Sequence, residues 1–177
     1  MIVATLLIAP SAAGAGRNIA ILFDDSGSMG GRSHLPTFGA QVLISTLDGR
    51  PGQDRLFTAR MSDFVSALEG GSRLAQILQQ YGPGHPQRVS SINALGLPFV
   101  KEERLDQPSS HQLLLETISK EWPSTDGRTP WHQIELLLER LAAVTGPDDE
   151  AFLIIMTDGK FMEPDQMDIT AQEFRTL

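Results

Sequence analysis

Two short runs of apolar residues in this chain stop at acids. Asn18–Asp24 is N-I-A-I-L-F-D, and Glu150–Thr157 is E-A-F-L-I-I-M-T, followed by Asp158 and Gly159. Near-continuous apolar runs of this length predict strands buried on both faces, as in parallel sheets. Between them the period lengthens. Pro130–Val144 places Ile134, Leu137, Leu138, Leu141 and Val144 on one helical stripe. Thr129 stands where an N-cap belongs, Pro130 takes the first helical position, and Gly146-Pro147 ends the helix. His111–Trp122 has Leu114, Ile118 and Trp122 on one face. Leu35–Leu47 carries Leu35, Phe38 and Val42 at helical spacing and closes at Asp48-Gly49. Asp54–Phe64 reads as a further strand. Val65–Tyr81 reads as a helix through Leu74, Ile77 and Leu78, interrupted at Gly70-Gly71. Gly82–Ser110, with Pro83, Pro86, Pro98 and Pro108, reads mainly as loop, with one short strand at Leu97–Val100. Strands alternating with helices predict an α/β domain: an open, mostly parallel, doubly wound sheet with helices on both faces.

Composition narrows the classes. A chain of 177 residues suits one domain. The net charge of −8 disfavours a free-standing nucleic-acid binder, which carries a basic face. Cysteine is absent, which removes disulfide scaffolds, thiolate zinc sites, iron–sulfur clusters and cysteine nucleophiles. No apolar run reaches the roughly 18 residues of a membrane-spanning helix. Residues 1–16, M-I-V-A-T-L-L-I-A-P-S-A-A-G-A-G, have an apolar stretch and the A-x-A spacing of Ala13 and Ala15. They read as a signal peptide cleaved near Ala15, and the protein then as periplasmic or secreted. The alternatives are a buried first strand or an N-terminal extension on a cytoplasmic protein. Residues 17–177 form the predicted domain.

The chemistry gathers where the two buried strands end. Ligands of open parallel sheets bind outside the carboxyl ends of the strands, where strand order reverses. If the two strands are neighbours, Asp24 and Asp158 share one rim. Ser26 and Ser28 follow Asp24 in D-D-S-G-S-M, and Thr129 lies in D-G-R-T-P-W. Acids and hydroxyls without imidazole or thiol suit Mg²⁺, or Mn²⁺ or Ca²⁺, rather than zinc or copper. Asp25 should point away from Asp24 by strand alternation, so no ligand role is assigned to it and Asp25→Ala is expected to matter little for metal-dependent binding. Taken singly, Thr129 is a plain N-cap, and Ser26, Ser28 and Asp158 are turn residues. The four histidines form no H-x-x-x-H pair. Trp122 and Trp131, flanking the threonine loop, read as packing residues.

D-x-S-x-S at Asp24, Ser26 and Ser28, G-x-T-P at Thr129 and T-D-G at Asp158, in that order, resemble the metal-ion-dependent adhesion site of the von Willebrand factor type A domain. The resemblance runs from about Asn18 to Lys160. It implies that Ser26 and Ser28 bind the cation through their hydroxyls. Thr129 would bind directly in the ligand-engaged state and through water otherwise. Asp24 and Asp158 would supply charge, mostly through waters. The open position would take a carboxylate from an Asp or Glu of a partner protein. The implied function is cation-dependent protein binding, without catalysis. The alternatives are a metal-dependent hydrolase or phosphatase using the same acidic rim, or a non-functional truncated product; G-x-S-x-G and a phosphate loop with Lys are both absent.

A complete domain of that family continues beyond its T-D-G strand with two more strands and their helices. Here 17 residues follow Lys160. The sheet is therefore expected to end at the Phe152–Met156 strand with a hydrophobic edge exposed, through truncation of the gene product, the simplest explanation, or with the missing half supplied by a partner or by oligomerisation.

Overall fold

The computed structural model describes residues 2–7, 16–29, 34–47, 54–68, 71–82, 84–97, 100–105, 108–121 and 132–157. Five strands, β1 (Ile2–Leu7), β2 (Arg17–Phe23), β3 (Arg55–Arg60), β4 (Lys101–Arg104) and β5 (Glu150–Thr157), form one sheet in the order β1-β5-β2-β3-β4. The central strands β5, β2 and β3 are parallel, while β1 and β4 pair antiparallel at the two edges. The sheet is thus mixed, not mostly parallel. The predicted neighbours β2 and β5 do lie side by side, with Phe23 opposite Met156.

Among the described residues six helices cover the two faces: α1 (His34–Thr46), α2 (Met61–Leu68), α3 (Arg73–Gln80), α4 (Pro86–Leu95), α5 (Pro108–Glu121) and α6 (His132–Val144). Alternation along β2 divides the core. Ile19, Ile21 and Phe23 pack with Ala40 and Ile44 of α1 and Leu114 and Ile118 of α5. Ala20 and Leu22 face the other way, onto α2, α3, α4 and α6 through Phe64, Ile77, Ile92 and Leu137. From Asn18 to Phe23 every β2 residue is removed from water, as a central strand between two helical layers requires.

Several elements depart from the sequence pattern. The stripe on α6 is as expected: Ile134, Leu137 and Leu141 are buried, and Leu138 and Val144 pack against the core. On α1 the buried face is Thr37, Ala40 and Ile44, while Phe38 and Val42 are 65% and 46% exposed. The run expected as one strand to Phe64 breaks at Arg60, and α2 starts at the next residue. Within the expected loop, Pro86–Leu95 is a helix, opened by Pro86 and closed by Gly96 at φ 72°. The short strand falls at Lys101–Arg104, just beyond its predicted place.

The β5 edge is not exposed. Residues Ile2–Leu7 pair along Phe152–Thr157, so the expectation of an open hydrophobic edge there is corrected. At the other edge, β4 is Lys-Glu-Glu-Arg, a charged strand of the kind that discourages further pairing. Among the described residues, no helix is long and apolar enough to cross a membrane.

Candidate metal centre

The chain leaves β2 through α1 toward β3 on one side, and β5 lies on the other. Helices α1 and α6 sit on opposite faces. The carboxyl ends of β2 and β5 therefore flank a topological switch point, where a ligand crevice forms in such sheets. Asp24 is the first residue past β2. Its N–H donates to the Met156 carbonyl at 2.9 Å, which extends the ladder by one residue.

The Asp24 side chain is fully buried. One carboxylate oxygen accepts the Ser26 N–H at 3.0 Å, closing a tight turn. The other accepts the Thr157 hydroxyl at 2.6 Å. Asp24 thus ties the loop to the end of β5, immediately before Asp158. Beyond it, Met29 donates its N–H to the Ser26 carbonyl at 3.0 Å, and the Met29 side chain is buried. The D-D-S-G-S-M segment is pinned at both ends, by Phe23 and by Met29, with Gly27 exposed between them.

Asp25 turns the opposite way, as alternation predicts, and it too is fully buried. Its carboxylate accepts the Ser62 N–H at 2.9 Å and the Ser62 hydroxyl. Burial pushes its pKa above the ordinary carboxylate value; the two Ser62 bonds and the nearby Arg60 charge oppose the rise. Asp25 thus joins the end of β2 to the first turn of α2, a structural role that its sequence position did not announce.

Of the five residues singled out from sequence, the structure brings Asp24 and Ser26 together at the switch point. Ser28 lies in the short 3-10 turn Gly27–Met29. Thr129 and Asp158 fall outside the described residues, as do Trp122 and Trp131. Sequence reasoning passed over Thr157 and Ser62, the two hydroxyls that hold the aspartates. Thr157 had a signal in its place at the end of a buried strand; Ser62 had none, 37 residues away in an apparent strand.

The donor set fits a hard cation in kind. A carboxylate as buried as Asp24 needs partners for its oxygens. Among the described residues no cationic side chain pairs with it. Each of its oxygens holds one donor and can accept another, so bridging waters to a cation have acceptors available. Among the described residues no group of three or more His, Cys, Asp or Glu side chains could hold a metal by itself. Hydroxyl ligands would have to complete the site. No protein-family profile, curated protein or solved structure matches this chain.

Proposed function

We propose that this chain is a divalent-cation-dependent protein-binding module of the von Willebrand factor type A kind. Mg²⁺ would be held by the hydroxyls of Ser26, Ser28 and Thr129, with Asp24 and Asp158 supplying charge through waters. The partner contributes an Asp or Glu carboxylate to the remaining position. The observation that supports this most is Asp24, buried at the switch point, with two hydrogen-bond donors and no cationic partner among the described residues.

Neutral hydroxyl ligands withdraw little of the cation's charge, so a bound Mg²⁺ stays electrophilic toward an incoming carboxylate. The chain's −8 charge repels an acidic ligand at long range, so the metal-free protein should show almost no affinity. A pull-down from the source cell with Mg²⁺, and again after EDTA, tests the reading. Binding is expected to need Mg²⁺, to vanish in Asp24→Ala and to weaken strongly in Ser28→Ala. Binding that survives EDTA and Asp24→Ala unchanged would overturn it. Export with processing near Ala15 is a separate proposal: it would remove β1 and uncover the β5 edge, and N-terminal sequencing of protein from the source cell checks it.

A further inference from the structure

Strand β3 runs into α2 with no residue between them: Arg60 ends one and Met61 begins the other. The first N–H groups of a helix have no partner within it. The usual remedy is a Ser, Thr, Asp or Asn in the preceding position, whose oxygen accepts one of them. Arg60 fills that position, and a guanidinium has no acceptor. Half of the remedy is local: Asp63 reaches back and accepts the Arg60 N–H at 3.3 Å. The other half comes from the loop after β2, as Asp25 accepts the Ser62 N–H.

The capping residue of α2 is thus the middle residue of D-D-S, between Asp24 and Ser26. Asp24 holds this loop to β5 through Thr157, and Asp25 holds it to α2 through Ser62. The loop is braced on one side to β5 and on the other to α2. A site built on neutral hydroxyls gains little from each ligand, so its affinity depends on ligands ordered before the cation arrives. The exposed Gly27 leaves the loop freedom that bracing must remove.

We propose that Asp25 is a positioning residue of the metal-site loop, which through Ser62 fixes how Ser26 and Ser28 are presented to a cation. The inference rests on the metal-site reading above. It goes beyond that reading in giving a role to a residue with no place among the ligands.

The test is Mn²⁺ titration calorimetry on the full chain stripped with EDTA, alongside urea unfolding and amide hydrogen exchange. Asp25→Ala is expected to weaken Mn²⁺ binding roughly 10–100-fold, as loss of an outer-shell support does, and to speed exchange at the Ser26 N–H. Asp25→Asn is expected to restore most of the affinity. The new carbonyl oxygen accepts the Ser62 N–H, and the new amide donates to the Ser62 hydroxyl. Asp63→Ala is the control: it removes the other half of the same cap, so stability falls but Mn²⁺ affinity holds. The proposal is overturned if Asp25→Ala keeps wild-type affinity and Ser26 exchange while stability falls, because Asp25 is then a helix cap only. It is equally overturned if Asp63→Ala weakens binding as much as Asp25→Ala. Should Asp25→Ala not fold, Ser62→Ala takes its place, with a smaller loss expected and an unchanged affinity counting against the proposal. Wild-type protein that takes up no Mn²⁺ overturns the metal-site reading itself. The brace is then judged on Ser26 exchange alone, which Asp25→Ala must accelerate more than Asp63→Ala does.

Discussion

Asp24 and Asp25 are adjacent and both fully buried, yet they hold different parts of the fold: Asp24 reaches Thr157 at the end of β5, and Asp25 reaches Ser62 in α2. Asp25 loses more by desolvation than Ser62 and Arg60 return, so its pKa is raised. The folded protein then keeps the Asp25 proton at pH values where the unfolded chain, with a pKa of about 3.9, has released it. Asp25 therefore favours folding at low pH, and this contribution is lost as pH rises through the raised value. A neutral amide in its place, as in Asp25→Asn, carries no such penalty. The stability of Asp25→Asn relative to wild type should climb from about pH 4 upward and flatten above the raised value. Urea unfolding of both proteins in EDTA across that range checks it; parallel pH profiles would contradict the burial argument. Of this site, Asp24 was legible in the sequence, because a carboxylate ending a buried apolar run is conspicuous. The role of Asp25 was not legible, because it depends on a helix start hidden inside an apparent strand.

At the scale of elements, periodicity works where the buried face is apolar and fails where it is not. The α6 stripe could be seen for that reason. Helix α4 could not, because its buried positions are Arg88 and Ile92, and a hydrophobic pattern counts an arginine as polar. Its cap is also unusual: the ring nitrogen Nδ1 of His85 accepts the Gln87 N–H at 3.2 Å. The Arg88 side chain is 3% exposed and bonds Glu135 and Glu139 of α6, each 11% exposed. Removing one partner from a buried ion pair strands the other charges, so Arg88→Ala should cost about 3–5 kcal/mol. Adding Glu135→Gln and Glu139→Gln should recover part of that loss. Denaturant unfolding of the single and triple variants measures both, and a loss within about 0.5 kcal/mol for Arg88→Ala, the range of an ordinary surface substitution, would show that the cluster behaves as surface charge. On α1 the misjudged face has a different cause. Apolar residues occur around much of that helix, and the small Thr37 and Ala40 lie on its buried side, leaving Phe38 outside.

For the whole molecule, the alternation of strands and helices was enough to predict helices on both faces of a sheet, and the two apolar runs ending in acids pointed to the adjacency of β2 and β5. It could not supply the antiparallel edges. The pairing of β1 with β5 joins residues at opposite ends of the described chain, a relation no local pattern encodes. The same pairing makes a prediction about association. A chain starting at Gly16 would leave the backbone edge of β5 uncovered, and bare edges recruit other strands. Sedimentation at several concentrations should find this shortened chain self-associating where the full chain does not. Equal sedimentation of the two would mean that β1 shields nothing.

The bond between Thr157 and Asp24 spans 133 residues, and that separation has a consequence in time. A ribosome adding about 5–20 residues per second leaves Asp24 without this partner for roughly 7–30 s after it is made. Meanwhile β2 can pair only with β3, and the rim is half built. Contacts this distant form late, because the chain must close a long loop before they return anything. A cation that needs both sides of the rim cannot guide the early stages of folding. On the proposed reading it would bind only once β5 has docked, so Mg²⁺ uptake followed during synthesis would mark the moment β5 joins β2.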